Sequence, residues 1–455
     1  MKELLSVNEL YRAVGGEQAL RPGGYMLSRY CLRVPCEDGE LFYHNLTGRL
    51  LLLSREEADA LDARFAERGA AEVRQTEDAL FAVLVKQWFF VPVGTNEREL
   101  ADQAMQTARL LERWKPCIKD FTIFTTTDCN ARCYYCYELG RRRVAMSEQT
   151  AHDAAAYIRR VCDGNAVSIR WFGGEPLCNA AAIDIISDDL AAGGVEFTSR
   201  IVSNGYLFDE DMVARAVDRW KLRSAQIPLD GTEDVYNRNK AFIYKDGSAY
   251  ERVMKNIERL LDAEVRVALR LNVDQRNAED VDRLADELIA RFHGRKGVEA
   301  YAALLQDFGH AINCFESDDA ALAVYDALQK KLIAAGIGKV DYPRRKISLN
   351  MCMADNDRAM TILPDGRLGK CQHRVDADPV GSIYDEQMDT DMIAAWKDAI
   401  RIDACEDCLM YPYCIRLKKC PWTKGVCAPF NRKISKLNLT QKVLNCYEAY
   451  KRSAT

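Results

Sequence analysis

Cys129, Cys133 and Cys136 stand in the stretch TTTDCNARCYYCYELG, in a C-x3-C-x2-C spacing. Zinc takes four ligands, usually offered as two C-x2-C pairs, and no second pair lies nearby. A disulfide takes two. Three thiolates on one short loop suit a cubane iron–sulfur cluster whose fourth iron stays open for a substrate or cofactor.

All but one of the other cysteines fall into two groups. The chain has 17 in all, many for a reducing compartment, where thiols serve metals or catalysis more than disulfides. Cys31, Cys36, Cys162, Cys178 and Cys314 are scattered among apolar neighbours and read as small packed hydrophobes. Eight more crowd between Cys352 and Cys446, which calls for a chemical reason. Among these, Cys446 shares a helical face with Leu439, Val443, Tyr447 and Tyr450 and reads as core. Cys427 follows Gly425 in a loop close behind Cys420, a better place to turn a thiolate toward metal.

The elements that position these residues follow from pattern and composition. At 455 residues, the chain divides into about three domains. A hydrophobic content of 48% and a charged content of 29% describe a soluble globular protein. The net charge of −5 offers no basic field to nucleic acid or an anionic membrane. No apolar run approaches the ~18 residues of a membrane span, and the N-terminus lacks the apolar core of a signal peptide, so a cytoplasmic protein is expected. Residues 29–34 and 40–53 read as short strands, the second broken at NLTG. Ser54 with Glu57 forms a capping box that opens a helix, and a second helix near TEDALFAVLVKQ leads into WFFVP. This is a winged-helix-like α+β pattern over 1–95.

From residue 119 the pattern becomes a strand–helix alternation. The strands read FTIFTTT, VSIRWFGG, FTSRIVSNG, AQIPLDG and VRVALRLNV, with a sixth near VEAYAALL, and amphipathic helices such as SEQTAHDAAAYIRRV and YERVMKNIERLL lie between. Such alternation predicts an α/β fold of parallel strands with crossover helices and chemistry at the strands' carboxyl ends. The three-cysteine loop follows the first strand. Gly173-Gly174-Glu175 ends the second, Ser203-Asn204-Gly205 the third and Asp230-Gly231 the fourth. Arg270 and Asn272 lie at the end of the fifth.

With Tyr135 just before the third cysteine and FGGEP one strand later, residues 117–340 resemble the radical S-adenosylmethionine (SAM) enzymes. The resemblance implies a partial (β/α)6 TIM-like barrel over 119–340 in which Cys129, Cys133 and Cys136 hold a [4Fe–4S] cluster. SAM would chelate the open iron, and its reductive cleavage would give a 5′-deoxyadenosyl radical. SAM contacts are implied for Tyr135, Gly173, Gly174, Glu175, Ser203, Asn204, Asp230, Lys240, Arg270 and Asn272. Lys240 stands where relatives often carry an arginine for the SAM carboxylate, and lysine lacks the bidentate fork. Singly, Arg270 and Asn272 read equally well as rim hydrogen-bonding groups.

The C-terminal cysteines resemble the SPASM extension of peptide- and protein-modifying relatives. The pattern runs from Cys352 through Gly366 to Cys371, then through Cys405-x2-Cys408-x5-Cys414, with Cys420 displaced by two residues from its usual place. The extension, over 341–455, implies two auxiliary [4Fe–4S] clusters, three clusters in all. Cys117, after Trp114-Lys115-Pro116 in the bridging segment 96–118, matches a position from which some relatives draw a ligand. The assignment expected from the resemblance is Cys117, Cys352, Cys371 and Cys420 for one cluster, with Cys405, Cys408, Cys414 and Cys427 for the other. The rival assignment leaves Cys117 free, opens an iron, or recruits Cys446.

In this company the 1–95 module resembles a precursor-peptide recognition domain, which captures a leader peptide as an added strand. The expected function is modification of a ribosomally made precursor peptide, by a thioether or carbon–carbon crosslink, with a flavodoxin or ferredoxin as reductant. A sulfatase-type maturase that oxidises Ser or Cys is the nearest rival. Such enzymes carry a catalytic aspartate directly after the cysteine matching Cys371, where this chain has Gln372 and then His373. An electron carrier without chemistry would leave FGGEP purposeless, and the acidic balance disfavours a zinc nucleic-acid binder.

Overall fold

The computed structural model describes residues 7–16, 18–65, 70–73, 79–112, 117–305, 315–343, 352–374, 377–399, 402–412, 414, 417–421 and 426–454. Cys314, Trp114-Lys115-Pro116 and Gly425, singled out in the sequence, lie outside the described residues. Two compact units form. One comprises Met1–Lys115, Val340–Cys352 and Asp398–Thr455, the other Pro116–Lys339 and Met353–Lys397.

In the first unit the chain runs α1 (Val7–Gly15), β1 (Gly23–Leu27), β2 (Cys31–Cys36), β3 (Gly39–His44), β4 (Arg49–Leu53), α2 (Arg55–Phe65), β5 (Ala70–Val73), α3 (Ala79–Lys86), β6 (Phe90–Pro92) and α4 (Glu97–Glu112). The strands form two antiparallel sheets, β5-β1-β6 and β2-β3-β4. NLTG makes the β3–β4 turn, and the capping box is present. The Ser54 amide donates to Glu57 Oε2 at 2.8 Å, and the Glu57 amide to Ser54 Oγ at 3.2 Å. Helix α4 fills much of the expected bridge and buries Ala101, Ala104 and Met105 with Leu10, Tyr11, Tyr30 and Trp88.

Side chains of β3 alternate between two cores, as strand period requires. Phe42 packs with Leu61, Phe81, Leu84 and Phe89. Leu41 and Tyr43 join Leu32 and Val34 against Leu439, Val443 and Tyr447, which lie on the C-terminal helix Pro429–Ala454. The apolar face expected on that helix is therefore real, with one correction. Tyr450 is 64% exposed, while Tyr447 and Lys451 on either side of it reach Asp38 and Glu37 in the β2–β3 turn.

The second unit holds six parallel strands, β7 (Asp120–Thr126), β8 (Val167–Gly173), β9 (Phe197–Val202), β10 (Leu222–Leu229), β11 (Arg266–Val273) and β12 (Val298–Leu304), paired in chain order. Crossovers use α5 (Glu148–Val161), α6 (Ala180–Ala192), α7 (Glu210–Asp218), α8 (Glu233–Lys240), α9 (Ala249–Asp262) and α10 (Ala278–Phe292), and α11 (Asp318–Ala334) follows β12. This is the mixed α/β partial barrel expected. Ile169 and Trp171 of β8 are fully buried, while Arg170 between them takes the opposite face, as do Gln226 on β10 and Arg270 on β11.

Three further strands complete a nine-stranded sheet. Strand β13 (Ala359–Ile362) pairs parallel to β7, with Ala359 opposite Asp120 and Ile362 opposite Ile123. Strands β14 (Arg367–Gly369) and β15 (Gly381–Ser382) follow antiparallel, and helix α12 (Thr390–Lys397) closes the unit. Gly366, at φ +85°, makes the β13–β14 turn with a left-handed backbone that glycine adopts without strain. Among the described residues no helix is long and apolar enough to cross a membrane.

Candidate active site

The three-cysteine loop leaves the carboxyl end of β7 and is held there by backbone. The Gly174 amide donates to Thr126 O at 3.0 Å and the Glu175 amide to Asp128 O at 2.8 Å. A Cβ on Gly173, at φ +135°, would lie 2.1 Å from Thr126 O, and one on Gly174 would lie 2.4 Å from Asp128 O. Two glycines are therefore required where β8 meets the loop.

Glu175 is fully buried and brackets β8 to β9. Its carboxylate accepts from the Leu177 amide at 3.1 Å, Ser203 Oγ at 2.9 Å and the Asn204 amide at 2.7 Å. Burial outweighs these donors and raises its pKa to about 7. Asn204 Nδ2 lies 3.8 Å from Cys129 Sγ and donates to Asn130 Oδ1 at 2.6 Å, so the β9 end touches the thiol loop directly.

A second network pins the loop from the opposite side. Tyr135 Oη donates to Asp230 at 2.7 Å and accepts from Lys240 Nζ at 2.7 Å. Lys240, 1% exposed, pairs with Asp230 Oδ2 at 3.2 Å, and Asn272 Nδ2 donates to Asp230 Oδ1 at 3.0 Å. Tyr135, Asp230, Lys240 and Asn272 thus form one buried group in which every charge is met. Tyr134, not singled out in the sequence, donates to Asp274 Oδ2 at 2.8 Å.

The thiols themselves suit a cluster. Burial pushes the pKa of Cys129 up, that of Cys133 up to about 11 and that of Cys136 up, and Cys133 and Cys136 are close enough to add to the shift of Cys129. Such thiols ionise readily only when a cation takes up the charge. Among the described residues no three His, Cys, Asp or Glu side chains close on a point fit for a single metal ion. A cubane, with its metal spread over four irons, asks for a wider set.

Arg270 falls elsewhere. It precedes Asn272 by two residues and lies one layer further into the barrel, at the level where the chain after β14 enters. There Arg170 Nη1 donates to Gln372 Oε1 at 3.0 Å and Arg141 Nη2 to His373 O at 3.3 Å. The His373 ring meets that of Tyr137 edge to face, 4.9 Å between centroids. Its pKa is lowered to about 4, first by burial and then by Arg270, Arg141 and Arg170. The sequence signal for this group was parity, since an arginine in the middle of SIRWF or ALRLN must face the barrel interior. Phe124, Phe172 and Leu363 pack beside it.

Among the C-terminal cysteines, Cys405, Cys408, Cys414 and Cys427 line one cavity with Tyr411 and Arg432. Cys117 and Cys371 belong to the barrel unit, Cys352 and Cys420 to the other. The antiparallel return of β14 carries Cys371 toward the amino end of β7, where Cys117 stands. Cys446 lines a separate groove with Tyr43, Leu50 and Tyr342. Of the cysteines expected as packed hydrophobes, Cys162 is buried, Cys31 and Cys36 are partly buried, and Cys178 is exposed. That expectation fails at Cys178 because Leu177 takes the buried place in the short turn Pro176–Asn179.

Residues 123–288 match the Radical SAM superfamily. No curated protein matches the chain in sequence. Among solved structures, the chain is similar to native anSMEcpe with bound AdoMet and Cp18Cys peptide, at 13% identity and a TM-score of 0.54, covering 73% of this chain and 99% of that one. It is also similar to Streptococcus suis SuiB, at 12% identity and a TM-score of 0.49, covering 88% of this chain and 95% of that one. At 13% identity the likeness to anSMEcpe is one of fold.

Proposed function

We propose that the protein is a radical SAM enzyme that modifies a ribosomally made precursor peptide by forming a thioether or carbon–carbon crosslink. The observation that carries this reading is the three-thiol loop, clamped by Gly173, Gly174 and Glu175 on one side and by Tyr135, Asp230, Lys240 and Asn272 on the other. Cys129, Cys133 and Cys136 would hold the cluster. A [4Fe–4S] cluster with an open iron held there would supply the one-electron reduction that cleaves the carbon–sulfur bond of SAM to methionine and a 5′-deoxyadenosyl radical.

The chain's own residues do the rest. Asn204, beside Cys129, and the glycine backbone at 173–174 would line the place where SAM meets the loop. Phe124, Phe172 and Leu363 pack as an apolar cluster with Tyr137 of the loop against them. Gln372 stands where sulfatase-type maturases carry a catalytic aspartate, and an amide held by Arg170 is no base, which disfavours that rival. Cys405, Cys408, Cys414 and Cys427 would hold an auxiliary cluster. Cys117, Cys352, Cys371 and Cys420 are assigned to the other on the sequence pattern, with a flavodoxin or ferredoxin as electron source.

The leader peptide would add to the β2-β3-β4 sheet, where β4 pairs only with β3 among the described strands. The fold shared with anSMEcpe, whose solved form holds AdoMet together with a peptide, is compatible with this division of labour. The test is to incubate the reconstituted protein with SAM, reductant and a candidate precursor peptide. A crosslink appears as a product lighter by a pair of hydrogens, with 5′-deoxyadenosine formed alongside. An unchanged peptide mass, with 5′-deoxyadenosine formed, would reject the maturase assignment.

A further inference from the structure

Arg270 is a cation on the interior face of the barrel that meets no counter-ion among the described residues. Its Nε is buried and has no hydrogen-bond partner, and among the described residues none of its nitrogens is in a hydrogen bond or ion pair. The nearby carboxylates on the same strand ends are already engaged. Asp230 pairs with Lys240 at 3.2 Å, and Asp274 with Arg276 at 3.5 Å. Arg170, on β8, donates to the neutral Gln372 at 3.0 Å, and burial with Arg200 lowers its pKa to about 10, against the opposing pull of Asp120. A half-buried guanidinium left unpaired is costly unless an anion completes it.

We infer that the barrel interior carries a carboxylate-binding site built on Arg270 and Arg170, with Arg141 at its edge, that takes an acidic side chain of the peptide substrate. The planar fork of an arginine matches a carboxylate through two parallel hydrogen bonds, and Arg270 has that fork free. Tyr301, opposite Arg270 on β12 and bonded to Gln226 at 3.0 Å, and the Phe124–Phe172 pair supply walls for the stem of a glutamate. The site lies one layer below the loop of Cys129, Cys133 and Cys136, so it would fix the register of the peptide beneath the radical source. The inference rests on the peptide-modifying reading and names what that peptide carries.

The test uses the capped tripeptide acetyl-Ala-Glu-Ala-amide and its glutamine counterpart as probes. Binding to the reconstituted full chain is followed by saturation-transfer NMR, first without SAM, so that SAM's own carboxylate is no competitor. The glutamate probe should bind about tenfold tighter than the glutamine one. Arg270→Gln and Arg170→Gln should each abolish that preference, and Arg270→Lys should keep part of it. Equal binding of the two probes to the unaltered chain overturns the inference without needing any variant. So does one-for-one displacement of the glutamate probe by SAM, which would assign the guanidinium groups to SAM's carboxylate. A chain that cleaves SAM yet shows no preference rejects this inference alone. One that shows the preference yet fails to cleave SAM rejects the radical reading instead.

Discussion

Lys240 carries a charge into a place where 1% of its surface is exposed, and Asp230 at 3.2 Å is what makes that tolerable. Removing one partner leaves the other charge buried and alone. Lys240→Met should therefore destabilise the chain by about 3–5 kcal/mol in denaturant unfolding, and adding Asp230→Asn should recover most of the loss. An undiminished stability in the single variant would show that Asp230 does not depend on the ammonium. Glu175 makes a pH prediction. Its folded pKa of about 7 exceeds the ordinary 4.5, so the fold binds its proton more tightly than the unfolded chain does. Its contribution to stability is fully present below about pH 4.5 and is lost as pH rises through about 7. Measured on iron-free protein, the gap in unfolding midpoint between the unaltered chain and Glu175→Gln should change across that window. A gap independent of pH would contradict the assignment. Gly173 and Gly174 were legible as a motif, but what they approach was not. Sequence pointed to a ligand, and the structure shows in addition the backbone of Thr126 and Asp128 within reach of any Cβ.

Six barrel strands were legible because each alternates helix-facing apolar residues with interior ones over at least six residues. The strands that extend the sheet were not. Strand β13 has four residues, β14 three and β15 two, too few for a period to show, and β13 finds its partner β7 far upstream in the chain. For the same reason the group around His373 escaped notice, since Gln372 and His373 reach the barrel interior only because that hairpin docks beside β7. Ile362 on β13 is fully buried. Ile362→Ala should cost about 2–5 kcal/mol in denaturant unfolding. A negligible cost would mean that the hairpin is not part of the barrel's cooperative unit.

Across the whole molecule, the N-terminal residues do not stand apart from the C-terminal ones. Leu32, Val34, Leu41 and Tyr43 share a core with Leu439, Val443 and Tyr447, a long-range contact no local pattern could disclose. Deleting residues 1–95 should therefore expose that helix face and give an aggregating or less stable protein, seen as a lowered Tm and ANS binding. A truncated chain as stable as the full one would refute the shared core. The function of the whole molecule turns on the loop of Cys129, Cys133 and Cys136. Its most direct measurement is the yield of 5′-deoxyadenosine from the reconstituted full chain given SAM and dithionite, with the variant Cys129→Ala, Cys133→Ala, Cys136→Ala beside it. Product is expected from the unaltered chain and none from the variant, which should also hold about four fewer irons. Equal 5′-deoxyadenosine from both, or none from an unaltered chain with its full iron, would contradict it.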